Sequence, residues 1–377
     1  MPKAAQRPAP VRYDRSVVGY IRAHRASALT ALGVVVAVAV GAVAVTNASN
    51  SEAIPAVAVR AEWMNNLPAT PTPGPPTPSP SVPSTTTTAA PPPTTGWVPV
   101  NQAQWNAQLA AFTAMTPRAI PANPKKNAEF NATCTYSHSA ADDPIVFPGL
   151  KGASHLHSFI GNDGTDADTT NGTLMKLTAS SCRPLEDHSA YWIPTLLEHG
   201  KPVEPKQVIV YYGSLLPDKT RTVPMPQGLR MIAGDARRQE PTPKGAVNQF
   251  YCAGGPQDGK ERSVDGNWPV CDGGTLHFTL RFPDCWDGKN LDSPKHKEHV
   301  SFGAGGKCPV AFPVAIPALT FSIAYPTSGT KDGFQLASGL PSSMHGDAFF
   351  AWEDDAMAHR VKDCVVQVVQ CDTAGQF

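Results

Sequence analysis

The chain of 377 residues carries 39 Pro and 30 Gly, so these turn formers reach about 18% where ordinary usage is roughly 12%, which argues against an all-helical protein. Lys+Arg and Asp+Glu balance at 31 each, and charged residues make up only 16% of the chain. Without a basic field to neutralise phosphates, a nucleic-acid partner is not expected.

Residues 1–27 hold Lys3, Arg7, Arg12, Arg15, Arg22 and Arg25 against one acid, Asp14, and the next charge is Glu52. Between them ALTALGVVVAVAVGAVAVT, residues 28–46, is about long enough to cross a ~30 Å hydrocarbon core as a helix. The charge bias predicts a basic cytoplasmic tail (1–27), a transmembrane signal-anchor (28–46) and a chain that continues outside the cell membrane. A cleaved signal peptide is the competing reading, because Ala42-Val43-Ala44 fits a cleavage site and the protein would then be secreted. Residues 47–96 read as a disordered Pro/Thr-rich spacer with eleven prolines between Pro68 and Pro93. Such composition builds no core, and in polyproline form residues 68–95 would extend up to about 85 Å.

From residue 97 to 377 the pattern is that of one extracytoplasmic globular domain. Trp105, Leu109, Phe112 and Met115 fall at helical spacing within Asn101 to Met115, ahead of Pro117, which predicts a short amphipathic helix. VIVYY (208–212), TLHFTLRF (275–282), HVSF (299–302) and LTFSIAY (319–325) are β-branched or aromatic and predict strands. Asp347 to Val361 is a further helical candidate, followed by a terminal strand CVVQVVQC. The expected class is mainly β, a β-sandwich or jelly roll with a few short helices behind the membrane helix.

Eight cysteines, at 134, 182, 252, 271, 285, 308, 364 and 371, all follow the apolar segment. Their even number in the exported part predicts four disulfides. Nearest-neighbour pairing is the default among the 105 arrangements that eight cysteines allow. No Cys-x-x-Cys spacing points to a zinc–thiolate site.

Three histidine patterns carry candidate chemistry. His155 and His157 alternate, so on a strand both imidazoles face one side. His296 and His299 would share a face on one helical turn, and His345 precedes Gly346 and Asp347, an acid able to orient an imidazole. Asp187-His188-Ser189-Ala190-Tyr191-Trp192 and Asp284-Cys285-Trp286-Asp287 pair acids with indoles, a chemistry that suits sugars. His155, His157, Asp187, Tyr191, Asp287 and His345 are the candidate catalytic residues. Trp192, Arg230, Trp286, His296, His299 and Asp347 are the candidate substrate contacts. The plain alternative makes the tryptophans core aromatics and the aspartates turn caps. No cofactor or particular metal is specified by these residues, and neither Gly-x-Ser-x-Gly nor a phosphate loop occurs.

DPIVFPGLKGASHLHSFIG (143–161), DHSAYWIPTL (187–196), PQGLRMIAG (226–234), FPDCWDGKNLDSPKHKEHVSF (282–302), CPVAFPVAIPAL (308–319) and HGDAFFAW (345–352) together resemble a secreted family of domains of unknown function, number nineteen-ninety-six. It occurs in actinobacteria and in fungi, where it can be fused to sugar-binding WSC modules. The resemblance implies a secreted, disulfide-bonded β-rich fold associated with cell walls, and it implies no activity. The expectation is thus a membrane-tethered domain that binds or cleaves a cell-wall or environmental polysaccharide. A non-catalytic envelope module and a histidine-based metal-binding protein are the alternatives.

Overall fold

A computed structural model of the chain describes residues 96–176, 179–242, 248–259, 268–330 and 332–377. The predicted tail, membrane span and spacer up to residue 95 lie outside these. Among the described residues no helix is long and apolar enough to cross a membrane.

The body is mainly β, with a few short helices. Ten strands form its two larger sheets: β1 Glu129–Cys134, β2 Tyr136–Ala140, β3 His157–Gly161, β4 Ala190–Pro194, β5 Gln207–Gly213, β6 Arg230–Gly234, β7 Phe250–Ala253, β8 Thr275–Arg281, β9 Ala318–Ala324 and β10 His345–Phe349. Sheet one runs β7-β8-β9-β5-β1 and sheet two runs β2-β3-β4-β10-β6. Every pairing in both is antiparallel.

In sheet one the alternation visible in the sequence sets the buried face. Val208, Val210 and Tyr212 of β5 and Leu276, Phe278 and Leu280 of β8 point into one core, each large apolar side chain contributing about 1.5–3 kcal/mol by leaving water. Ile160, Tyr191, Ile193, Met231 and Ala348 from sheet two close that core from the other side. The two sheets approach so closely at Gly346 that a Cβ there would lie 2.6 Å from Leu280 Cδ2 and 3.1 Å from a Phe321 ring carbon, so only Gly is accommodated without displacement.

Sheet two differs because β3, β4 and β10 are buried at all five positions each. Its outer face is covered as well, by a second apolar cluster in which Ile145 and Leu174 pack with Phe159, Trp192, Phe349 and Ala351. Side chains alternate across a strand, so His157, Trp192, His345, Asp347 and Arg230 share this covered outer face, while Tyr191 points inward.

Helix α1, Gln102–Ala114, follows the expected spacing and starts where Asn101 Oδ1 accepts the Gln104 amide at 3.2 Å, a side-chain cap. Four disulfides join Cys134–Cys182, Cys252–Cys271, Cys285–Cys308 and Cys364–Cys371, the nearest-neighbour set. Two expectations at the C-terminal end are corrected. The helix expected over 347–361 begins as strand β10, because those residues complete the ladder between β4 and β6, and helix α2 covers only Asp354–Arg360. The expected strand 364–371 is instead π-helical over Val361–Val366 and turns back at Val368, φ 58°, to bring Cys371 to Cys364.

The core between the sheets also holds polar groups. Asp187 Oδ2 accepts the Tyr191 hydroxyl at 2.8 Å and Oδ1 accepts the Ser189 amide at 3.1 Å. The Tyr191 and Tyr212 hydroxyls bond to each other, and Trp352 Nε1 donates to Tyr212 at 2.9 Å. Burial pushes the Asp187 carboxyl up to about 6, against the lowering by its hydrogen bonds. A folded-state value above the unfolded one means that the folded state binds more protons between about pH 4 and 6, so this group's contribution to stability falls as pH rises through that window. On urea unfolding, the stability of Asp187→Asn relative to the parent is therefore expected to improve by roughly 2 kcal/mol from pH 4 to pH 7. Parallel pH profiles would contradict this.

Candidate metal centre

Strand order brings the three histidines together. His157 opens β3 and pairs with Pro194 of β4, while the β10–β4 register, Asp347 with Trp192, extended by two residues sets His345 opposite the same proline. The two strands lie about 9.5 Å apart across β4, and both imidazoles lean over Pro194 from opposite sides. His155 reaches in from the preceding loop. Ring centroids lie 4.2 Å apart for His155–His157, 5.0 Å for His155–His345 and 5.6 Å for His157–His345. One ligand atom from each ring lies within 4.8 Å of the others.

The hydrogen bonds of these rings fix which nitrogens are available. His157 Nδ1 bonds the Asp142 carbonyl at 2.9 Å and His345 Nδ1 bonds the Ser343 carbonyl at 2.8 Å. A carbonyl only accepts, so both Nδ1 atoms carry the proton and both Nε2 atoms present lone pairs. These Nε2 atoms face each other at 3.4 Å, which between neutral rings of this tautomer is no hydrogen bond. It is the separation that two nitrogens have on a tetrahedral ion with bonds of about 2.05 Å. His155 Nε2 is buried without a partner.

Electrostatics keep the rings neutral. Burial pushes His155 down. Burial and then the charges of His155 and His345 push His157 well down. Burial also takes His345 down to about 4, against the raising effect of its Ser343 bond. Three unprotonated imidazoles, two of them oriented by backbone carbonyls, match a divalent-metal site with an outer shell.

Around this cluster the outer face is acidic. Asp142 accepts the Gly152 amide at 2.8 Å and the Ala167 amide at 3.2 Å, pinning the loop that carries His155. Asp143 accepts the amides of Ile145 and Val146 at 3.0 and 2.9 Å, and burial above all holds its carboxyl at about 6. Asp347 is buried and both of its oxygens lack a partner. Sequence reasoning singled out neither Asp142 nor Asp143, although Asp143-Pro144 is a turn-initiating pair.

The other expected site residues are dispersed. Asp187 and Tyr191 lie in the core between the sheets, on the opposite side of sheet two from the histidines. Trp192 is buried on the outer face against Phe159, centroids 5.6 Å apart. Trp286 is buried edge-on to Trp105 at 5.2 Å, so neither indole presents a face to solvent. Asp287 caps a turn by accepting the Lys289 and Asn290 amides at 2.8 and 2.9 Å. His296 and His299 do not share a helical turn, because Ser293 and Asp292 organise the segment as a loop and His296 sits at φ 59°. His296 Nδ1 bonds Asp292 Oδ1 at 2.9 Å, whereas His299 is held between Ser293 Oγ at 3.0 Å and the Arg230 carbonyl at 2.7 Å. Arg230 lies over the Phe349 ring, 4.7 Å from its centroid, and reaches Asp292 at 3.3 Å. It lines a cleft of about 150 Å³ with Asn101, Gln104, Asn171 and Gln227.

A family model described as a domain of unknown function (DUF1996) matches residues 143–352, an interval that contains all three histidines, Asp143 and Asp347 and begins one residue after Asp142. No curated protein and no solved structure matches the chain.

Proposed function

The chain belongs to the DUF1996 family, and on that premise we propose that its body is a metal-dependent hydrolase of envelope or environmental polysaccharide. The observation that carries this reading is the convergence of His155, His157 and His345, with two lone pairs facing each other at 3.4 Å. A divalent ion such as Zn²⁺ held there by three imidazoles would keep a position for water and bring that water's pKa toward ~7.

The chain's own groups supply the remainder. The carbonyls of Asp142 and Ser343 orient two of the ligands, and burial keeps all three in the unprotonated form that binds a metal. His155 is only partly buried, which makes its side the route of entry. The polysaccharide assignment is supported by the chain's predicted topology, a basic tail, an apolar span and a proline spacer, and by four disulfides suited to an oxidising compartment. The same topology supports a single-pass location in the cell membrane with the body outside.

Metal analysis of the purified chain after equilibration with Zn²⁺, followed by reducing-end release from a polysaccharide panel, tests the proposal. One equivalent of zinc and released ends, both lost in His345→Ala, are expected. Zinc retention without any product would leave metal capture as the function, and no zinc retention would end the metal reading.

A further inference from the structure

We propose that Asp143 and Asp347 form a second cation site, lined by oxygen, on the outer face of sheet two beside the three histidines. Asp347 stands on β10 between Trp192 of β4 and Ile232 of β6. It is 1% exposed, and neither carboxylate oxygen has a hydrogen-bond partner. Buried polar groups are nearly always satisfied, and a carboxyl group left with nothing costs several kcal/mol of desolvation, so this side chain points to an absent partner.

The chemistry of that partner follows from what surrounds it. The charge that acts most strongly on Asp347 is Asp143, itself 4% exposed and fixed by the amides of Ile145 and Val146. Asp292 and His296 act on Asp143, and Lys297 acts on Asp347. The two cationic groups among these are engaged elsewhere, since His296 Nδ1 bonds Asp292 and Lys297 Nζ donates to the Gly234 carbonyl. Asp143 stands beside Ile145, which packs on Trp192 and Phe349 around Asp347, so two buried acids share this covered face without a countercharge from the chain bonded to either. Carboxylate oxygens select hard cations such as Ca²⁺ or Mg²⁺, whereas the neighbouring imidazoles select zinc-like ions. With only two acids as protein ligands and the remainder from water, the affinity belongs in the 10⁻⁴–10⁻³ M range of extracellular calcium modules.

The inference does not depend on the hydrolase reading, and the test separates the two. Thermal unfolding of the zinc-equilibrated chain is followed with and without 10 mM Ca²⁺, Mg²⁺ or Mn²⁺, a level of roughly 10–100 Kd. A rise in Tm of about 3–8 °C is expected with at least one of these ions. It should survive His155→Ala, which removes a zinc ligand, and vanish in both Asp347→Asn and Asp143→Asn. If the Asp347 variant fails to fold, the parent chain and Asp143→Asn decide. No rise in the parent chain, or a rise that persists in Asp143→Asn, would overturn the proposal.

Discussion

Replacing both Cys134 and Cys182 by Ala is expected to lower the stability of the body by about 4 kcal/mol, the loop-entropy value for a closed segment of their separation. The pair spans 48 residues of chain, against 7 for Cys364–Cys371, for which the same relation gives only about 2 kcal/mol. The larger loop also carries most of the proposed metal site. It runs from the last residue of β1 in sheet one through the Asp142–Asp143 turn, His155 and β3, so it contains two of the three histidines and the acids that steady them. Opening it leaves the outer-face cover held by the pairing of β3 and the packing of Ile145 and Leu174, without the covalent tie at its ends. Zinc affinity, measured by competition with a chromophoric chelator, should therefore fall along with stability in this variant, and remain close to the parent value when Cys364 and Cys371 are replaced. Equal losses of zinc affinity in the two variants would mean that this disulfide does not steady the histidine loop.

How much of this was legible in the sequence depended on which sheet a residue occupies. VIVYY, TLHFTLRF and LTFSIAY alternate because sheet one is buried deeply on one face only, and they were readable as strands for that reason. Sheet two is covered on both faces, so HSFIG, AYWIP and HGDAF carry no alternation. The DAF part of HGDAF, Asp347–Phe349, accordingly reads as the start of a helix. The histidines were visible as separate pairs, but His157 and His345 stand 188 residues apart in the chain, and their meeting depends on β4 lying between β3 and β10, an order that local patterns do not encode. His296 and His299 share a motif yet have unrelated partners, because a left-handed residue breaks the turn that would have aligned them. The tryptophan–aspartate motifs were ambiguous for a related reason. Composition names an indole next to an acid but not whether the ring lies under a helix, as Trp286 lies under α1 at Trp105. The disulfides were legible because every bridge joins cysteines adjacent in the sequence.

His155→Ala is expected to separate a ligand from a structural histidine. The His155 ring contributes little to the metal-free fold: it is partly exposed and its Nε2 makes no hydrogen bond. Its removal also takes one of three mutually facing imidazoles out of a cluster that has no proton between Nε2 atoms. Stability of the chelator-treated variant should accordingly lie within about 1 kcal/mol of the parent, the range of a substitution that leaves no buried group unpaired. Zinc should behave differently. At a free concentration of 100 Kd it adds about 2.7 kcal/mol to the parent chain, and loss of one of three ligands should weaken binding by at least about 100-fold, leaving the variant with less than about 0.5 kcal/mol at that same concentration. Urea unfolding of both proteins, with chelator and with buffered zinc, measures all four values. A histidine that merely packs would give the reverse pattern, a destabilised metal-free variant with the zinc increment intact, because cavity formation acts on the fold in both states whereas coordination acts only on the loaded one.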